Sequence, residues 1–257
     1  MGLKRVLIPI PSYGFDPTEV AIPWKIMSEK EFEIVFLTPQ GEKATTDTIM
    51  LKGNKLGIWK SVLQARQDAV DAYKEMDESE SFCNPLKYHD VQEKRFDAIL
   101  LPGGHHKGVK EYLESEVLQQ LVVDFFAAQK PVGAICHGVV LAARSINPDT
   151  GRSVIFNYKT TSLLKSQELL AHNLTRLWLK DYYLTYPGLT VEDEVKSVLC
   201  DNNNFLKGPT PLLRDSHEHL KRGFIVKDRN YLSARWPGDA FRFSLEFIRI
   251  IQNAYEY

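Results

Sequence analysis

The feature that most constrains the fold is a succession of short, continuous apolar segments separated by amphipathic stretches. Four such segments, rich in Val, Ile, Leu and Phe, lie at positions 5–10, 32–38, 96–102 and 131–135. Runs that are apolar on both faces are typical of buried parallel strands, which need helical connections between them. We therefore predict an α/β protein with a parallel sheet covered on both faces, and with ligands beyond the carboxyl ends of the strands.

Residues from about 41 to 95 interrupt this alternation. The segment is polar and carries a charged helical pattern at 60–81. We interpret it as an inserted cap within a single domain that covers residues 1–257. A solvated surface insertion without a role in chemistry is an equal alternative, because long insertions in surface connections cost little free energy.

The composition indicates which partners are excluded and in which cellular compartment the protein is expected. The 32 basic and 33 acidic residues nearly cancel, which argues against nucleic acid or an anionic membrane as the main partner. The three cysteines have no short paired spacing, so neither a zinc site nor a disulfide framework is predicted. No apolar run approaches about 20 residues, the length that crosses a membrane. We expect a cytoplasmic protein in a reducing environment.

Cys136 stands at the turn between a predicted strand and a predicted helix, in the sequence AICHG at positions 134–138. Such a turn holds a nucleophile in strained backbone, and small residues on either side, here Ala134 and Gly138, avoid crowding. The helix N-terminus favours a thiolate, and its backbone N–H groups can bind an oxyanion. We predict that Cys136 is a catalytic nucleophile, with a buried inert cysteine as the alternative.

Gly103 and Gly104 follow the third apolar segment, and His105 comes directly after them. Paired glycines let the backbone turn sharply and direct an N–H group into the crevice beyond the sheet. We predict that both glycines bind an oxyanion or substrate and that His105 lines the cavity. An ordinary glycine turn is the alternative.

Glu19 and His137 are the candidate acid–base groups. Glu19 begins the first helix at the edge of the sheet, so its carboxyl group is expected to face the same crevice as Cys136. A partly desolvated carboxyl group there would stay protonated, contact the sulfur and act as a base once substrate is bound. A first-turn acid that only complements the helix dipole is the alternative for Glu19.

Four motifs together are similar to those of the ThiJ/PfpI family, within the class I glutamine-amidotransferase-like superfamily. In chain order they are residues 19–23, LPGG at 101–104, AICHG at 134–138 and SARWPG at 233–238. The resemblance implies a flavodoxin-like parallel-sheet sandwich in which Cys136 is the reactive cysteine and Glu19 hydrogen-bonds its sulfur. It also implies that Gly104 and His137 form the oxyanion side. Chain length and insertion resemble the larger heat-shock glyoxalase/chaperone branch.

A third member of a catalytic triad is not evident. Ser162 stands where a smaller branch of the family has a histidine, and Glu168, a few residues on, is the candidate partner of His137. A solvated position on a helix surface is the alternative for Glu168. The closely spaced His217 and His219 are more typical of a solvated loop than of a metal site, so we expect neither a metal nor a cofactor.

Members of the resembled family show cofactor-independent glyoxalase, reported deglycase, peptidase or holding-chaperone behaviour. We therefore predict a homodimeric, glyoxalase III-like enzyme that hydrates methylglyoxal or glyoxal to a hydroxy acid. The alternative from another class is a non-enzymatic stress protein, either a holding chaperone or a thiol sensor of oxidants. A peptidase or a glutamine-amidotransferase-like hydrolase is a further alternative, although the His-Pro-Glu of that amidotransferase class is missing.

Overall fold

The computed structural model describes residues 3–255. The strands are β1 Arg5–Pro9, β2 Glu33–Thr38, β3 Leu86–Lys87, β4 Ala98–Leu101, β5 Val132–Ile135, β6 Ile146–Asn147, β7 Arg152–Ser153, β8 Ile225–Asp228 and β9 Tyr231–Ala234. The α-helices are α1 Pro17–Glu29, α2 Thr48–Lys52, α3 Lys60–Leu63, α4 Gln67–Asp77, α5 Glu80–Cys83, α6 Lys110–Leu113, α7 Glu116–Ala127, α8 Gly138–Arg144, α9 Lys165–Leu179, α10 Val191–Ser197 and α11 Ala240–Asn253.

The main sheet has the strand order β3-β2-β1-β4-β5-β9-β8. Every neighbouring pair is parallel except β8 and β9, which form an antiparallel hairpin at one edge. The predicted α/β fold with a parallel sheet is confirmed. The edge strand β8 escaped prediction because Lys227 and Asp228 interrupt its apolar pattern.

Both faces of the sheet are covered, as the continuous apolar segments require. Along β1 the side chains alternate between two buried clusters. Val6 and Ile8 belong to the cluster that contains Val20 of α1 and Phe247 of α11. Leu7 belongs to the opposite cluster, which is built with residues of α7 and α8. The result is a sandwich of helices on either side of the sheet.

The inserted segment at 41–95 differs in detail from its sequence pattern. The charged stretch at 60–81 is not one helix, because extended backbone at Gln64 and Arg66 separates α3 from α4, and Ser79 caps a new helix, α5. Helix α4 packs against α1, with Ala69 and Ala72 fully buried. The segment thus contributes to the core as well as to the surface. That this segment acts as an inserted cap stays a prediction.

The strand order brings three carboxyl ends together. β1 lies beside β4, and β4 beside β5, while β2 lies on the other side of β1. The chain therefore reverses its direction across the sheet between β1 and β4, which is where such folds form a crevice. The residues that follow β1, β4 and β5 meet at this crevice. Among residues 3–255, no helix has the length and apolar character needed to cross a membrane.

Candidate active site at Cys136

Cys136 occupies the turn from β5 to α8 in left-handed backbone, with φ of +58°. Its N–H donates to the carbonyl oxygen of Ala234 at 3.1 Å, which ties the turn to β9. Gly138 lets the new helix approach β4, because a Cβ atom at Gly138 would lie 2.0 Å from the carbonyl oxygen of Leu101. The predicted strand–cysteine–helix turn is present, and its backbone strain is of the kind found at functional sites.

Gly103 is the point at which three parts of the site meet. A Cβ atom added there would lie 2.6 Å from the backbone nitrogen of His137, 2.8 Å from Oε2 of Glu19 and 3.0 Å from Cβ of Cys136. All three distances are shorter than ordinary van der Waals contact. Only a residue without a side chain allows the loop after β4, helix α1 and the cysteine turn to approach this closely.

Glu19 lies in the first turn of α1, which Asp16 caps by accepting from the N–H groups of Thr18 and Glu19. The carboxyl group is fully buried, and its Oε2 accepts from the N–H of Gly103 at 2.9 Å. Oε1 has no hydrogen-bond partner within residues 3–255, and the Cys136 side chain is among the groups that act on this carboxyl group. The structure thus brings Glu19 to the cysteine.

The environment of Glu19 favours its neutral form. Burial raises the pKa of Glu19 well above its usual value, and the nearby Asp16 raises it further. The interactions with Cys136 and with the Gly103 N–H lower that pKa, but they do not offset burial. A buried, protonated carboxyl group beside a sulfur atom can donate a proton to a reacting group.

The protonation of the Cys136 thiol differs from the expectation of a thiolate. The helix N-terminus was expected to favour a thiolate, yet burial raises the pKa of the Cys136 thiol well above its usual value, and negative charge on Glu19 or Asp16 raises it further. The N–H of His137 lowers it only in part. Only 5% of the residue is exposed, so desolvation opposes the thiolate more strongly than the backbone N–H at the start of α8 favours it. To act as a nucleophile, Cys136 would therefore have to transfer its proton to a neighbouring group.

His137 is placed to receive that proton. Its Nδ1 lies 3.4 Å from Sγ of Cys136, and its Nε2 lies 3.0 Å from Oγ1 of Thr185. Burial lowers the pKa of His137 to about 3, and the nearby His105 and Arg144 add to this effect. The imidazole is therefore neutral near pH 7, with one nitrogen protonated and the other able to act as a base.

Glu168, predicted as the candidate partner of His137, has a different role. Its Oε2 accepts from the backbone N–H of Val191, the first residue of α10, at 3.0 Å. The carboxyl group is buried rather than solvated, and burial raises its pKa to about 7. The group that contacts the outer nitrogen of His137 is the hydroxyl of Thr185. The prediction for Glu168 is corrected because a helix N-terminus captures its side chain.

Gly103 and Gly104 differ in the contacts that their N–H groups make. The N–H of Gly103 is already donated to Glu19, so Gly103 positions the acid and does not bind an oxyanion, contrary to expectation. Gly104 has φ of +148°, and a side chain there would collide with the backbone of Gly14 and Asp16. Its N–H has no acceptor within residues 3–255. The role of Gly104 as the oxyanion-side donor stays a prediction.

His105 lies in an aromatic cluster beside the site. Its ring stacks on Tyr183, with centroids 4.4 Å apart, and meets Tyr182 edge-on at 4.7 Å. Its Nε2 is 3.8 Å from Oδ2 of Asp47. Burial lowers the pKa of His105 to about 4, although Asp47 acts in the opposite direction. The neutral ring helps to wall the site, and its backbone carbonyl accepts from Thr185 at 2.8 Å.

A segment that begins in the last turn of α9, residues 178–186, extends over the site; we call it the covering segment. The indole of Trp178 donates to the carbonyl oxygen of Lys55 at 2.7 Å, and the hydroxyl of Tyr182 donates to Asp47 at 2.5 Å. Lys55 and Asp47 belong to the insertion, so the insertion touches the site through the covering segment. Sequence reasoning missed this segment, because no motif marks it.

Two further charged residues went unnoticed in the sequence. Asp16 has a detectable signal, because the sequence DPTE places an N-cap residue before Pro17 and an acid three positions on. Burial raises the pKa of Asp16 to about 6, while the N–H of Glu19 and the charge of Arg214 lower it. Arg214 lies in a polar stretch without a pattern. Within residues 3–255, no group of three His, Cys, Asp or Glu side chains is arranged to hold a metal ion.

Residues 10–194 match the profile of proteins described as ThiJ/PfpI family-like. Among curated proteins, the glutathione-independent glyoxalase hsp3102 of Schizosaccharomyces pombe is 24% identical over 158 residues, covering 60% of this chain and 62% of that protein. An uncharacterized protein of the same yeast is 30% identical over 123 residues, covering 47% of this chain and 45% of that protein. The alignments thus span about half to two thirds of these relatives.

Solved structures share the fold over nearly the whole chain. Glyoxalase III of Candida albicans is similar with a TM-score of 0.69 and 19% identity, covering 96% of this chain and 97% of that one. DJ-1beta of Drosophila melanogaster is similar with a TM-score of 0.56 and 14% identity, covering 98% of this chain and 95% of that one. At these identities the likeness concerns the fold alone.

Proposed function

The chain belongs to the ThiJ/PfpI family, and from that premise we propose that it is a cysteine-dependent glyoxalase that hydrates small dicarbonyls to hydroxy acids. The observation that carries the proposal is that the buried carboxyl group of Glu19 and the imidazole of His137 both lie beside Cys136, with Nδ1 of His137 3.4 Å from Sγ. Such a site holds a nucleophile, a proton donor and a proton acceptor. The glyoxalases named among the relatives support the choice of substrate.

In the first step, Sγ of Cys136 attacks the aldehyde carbon of methylglyoxal, and the thiol proton moves to Nδ1 of His137. The aldehyde oxygen becomes an oxyanion, for which the backbone N–H groups of Gly104 and His137 are the assigned donors. The proton then passes from His137 to this oxygen, which completes a hemithioacetal and returns a neutral imidazole. Charge therefore appears in the buried site only transiently, as its low polarity requires.

In the second step, a proton leaves the former aldehyde carbon and another is delivered to the neighbouring carbon. Glu19 or His137 takes the carbon-bound proton and the ketone oxygen is protonated, which gives an enediol. As the neighbouring carbon receives its proton, the hydroxyl proton on the former aldehyde oxygen leaves and the carbonyl group of a thioester forms. Water then hydrolyses the thioester to lactate and restores the thiol. One carbon is oxidised and its neighbour reduced, so the reaction is an internal redox hydration that needs no redox cofactor.

The test is incubation of purified protein with methylglyoxal or glyoxal in the absence of glutathione, with lactate or glycolate measured by chromatography. The proposal expects hydroxy acid to form at a rate proportional to protein concentration. No hydroxy acid from either dicarbonyl would refute it. Size-exclusion chromatography with light scattering on the same sample tests the predicted homodimer.

A holding chaperone is the second candidate. Such a protein would hold unfolded clients through exposed apolar side chains, and Ile58, Leu177 and Leu212 are each at least 80% exposed. Suppression of the heat aggregation of an unfolded client, unchanged in Cys136→Ala, would support this function. The thiol-sensor alternative has less support, because sensor cysteines are exposed and acidic, whereas Cys136 is neither.

A further inference from the structure

We propose that Thr185 is a positioning residue that fixes the tautomer of His137 and so directs the basic nitrogen at Cys136. The inference rests on the proposed function, since it assigns a partner to the base of that site. Thr185 lies in the covering segment, 1% exposed, and its hydroxyl lies between the outer nitrogen of His137 and the carbonyl oxygen of His105.

The hydroxyl of Thr185 has one hydrogen to donate and two neighbours within hydrogen-bond distance. A carbonyl oxygen only accepts, so the 2.8 Å contact between Oγ1 of Thr185 and the carbonyl of His105 uses the single hydroxyl hydrogen. The hydroxyl oxygen can then only accept from Nε2 of His137, which lies 3.0 Å away. Nε2 therefore carries the hydrogen in the neutral ring.

The tautomer of His137 determines whether Nδ1, the nitrogen on the other side of the imidazole ring, can act as a base. With its hydrogen on Nε2, the neutral imidazole presents a lone pair at Nδ1, and Nδ1 is the atom that lies 3.4 Å from Sγ of Cys136. The thiol can then donate to His137. The opposite tautomer would place a hydrogen on Nδ1 and leave no base at the sulfur.

Thr185 also differs in charge from the carboxylate that often orients a catalytic histidine. A hydroxyl orients the ring without adding negative charge behind it, so the imidazolium gains little stability and exists only briefly. This agrees with a resting thiol rather than a thiolate–imidazolium pair. The sulfur of Cys136 therefore stays uncharged until it attacks the carbonyl carbon of a substrate.

The position of Thr185 is held from both sides. Tyr182 is bound to Asp47. The hydroxyl of Tyr186 donates to Glu114 at 2.6 Å and accepts from Arg144, on the helix that follows the cysteine, at 2.9 Å. The covering segment thus supplies a hydroxyl that the cysteine turn lacks, and the base is complete only when this segment is in place.

The decisive measurement is the nitrogen NMR spectrum of protein with ¹⁵N-labelled histidines, in which His137→Gln identifies the His137 signals. In the wild type we expect a pyrrole-like shift at Nε2 and a pyridine-like shift at Nδ1. Thr185→Val should move both signals toward a mixture of tautomers, and Thr185→Ser should restore them. A wild-type hydrogen on Nδ1, or a Thr185→Val spectrum identical to the wild type, would overturn the proposal.

A kinetic test uses the same variants. Thr185→Val should lower kcat about tenfold, the effect of one lost hydrogen bond, with little change in KM. Thr175→Val is the matched control, because Thr175 is equally buried and donates to the carbonyl of Ala171 at 2.8 Å. Equal losses in both valine variants would contradict a specific role for Thr185. The NMR result needs no substrate, so it stands even if the wild type makes no hydroxy acid.

Discussion

Oε2 of Glu19 accepts a hydrogen bond of 2.9 Å from the backbone N–H of Gly103, and this contact joins the first helix to the loop after β4. The bond holds the carboxyl group near Cys136 and leaves its other oxygen without a hydrogen-bond partner among residues 3–255. It also withdraws the N–H of Gly103 from any oxyanion. The contact therefore fixes the position of the acid, while burial keeps the acid protonated.

Replacement of Cys136 by alanine should abolish hydroxy-acid formation, because no other thiol lies in the site. Cys83 and Cys200 are exposed and serve as matched controls. Cys83→Ala and Cys200→Ala should keep wild-type turnover of methylglyoxal, measured as lactate formed per minute. Residual lactate in Cys136→Ala, at a rate comparable to wild type, would mean that another residue begins the reaction.

Glu19→Gln should slow turnover by about 10²–10⁴-fold, the usual contribution of a general acid or base. A glutamine can still accept from the Gly103 N–H through its carbonyl oxygen, so the geometry is kept while the exchangeable proton is lost.

The control for Glu19→Gln is Glu168→Gln, because Glu168 is also buried and also accepts from a backbone N–H, at 3.0 Å. We expect kcat of Glu168→Gln to lie near the wild-type value. Similar losses of kcat in both variants would indicate a general effect of removing a buried acid and would count against the role of Glu19.

Gly138→Ala should destabilise the protein by about 3 kcal/mol or more, as overpacking against rigid backbone does. The added Cβ would lie 2.0 Å from the carbonyl oxygen of Leu101, and neither backbone segment can yield without moving the cysteine turn.

Gly151→Ala provides a comparison, since Gly151 has φ of +64° but no atom within 4 Å of an added Cβ. It should cost only about 1 kcal/mol, the strain of left-handed backbone. The measurement is urea unfolding followed by circular dichroism. Equal free energies of unfolding for the two variants would show that the contact with Leu101 is unimportant.

The stability of the protein should depend on pH through His105. Burial lowers the pKa of His105 from 6.5 to about 4 in the folded state, so between these values the unfolded chain binds more protons. Stability contributed by the neutral ring is therefore complete above pH 6.5 and declines as the pH falls toward 4. The slope from one such group is at most about 1.4 kcal/mol per pH unit.

His105→Phe tests this, because phenylalanine keeps the contact with Tyr183 but does not titrate. As the pH falls from 6.5 to 4, the unfolding free energy of the wild type should decrease relative to that of the variant. Buried acids such as Asp16 are common to both proteins and cancel in that difference. His217→Phe, at an exposed site, is the control. A difference that does not change with pH would contradict a buried neutral His105.

Much of this protein can be determined from its sequence because the relevant forces act over short distances along the chain. Continuous apolar segments predict buried parallel strands, since a strand covered on both faces has no polar positions. The sequence AICHG predicts the cysteine turn, because the small residue at 138 is needed for close approach of helix and strand. The helix that begins after Asp16 is likewise a local property of its capping residue and Pro17.

Other properties of the site were decided only by the tertiary structure. Thr185 reaches His137 through the folding of a segment that carries no motif, and Glu168 is captured by the N-terminus of α10. The protonation states of Cys136 and Glu19 depend on desolvation, which exists only after distant segments have covered the site. A helix N-terminus visible in the sequence favours a thiolate, but the burial that opposes it depends on the whole chain, and burial is the larger effect.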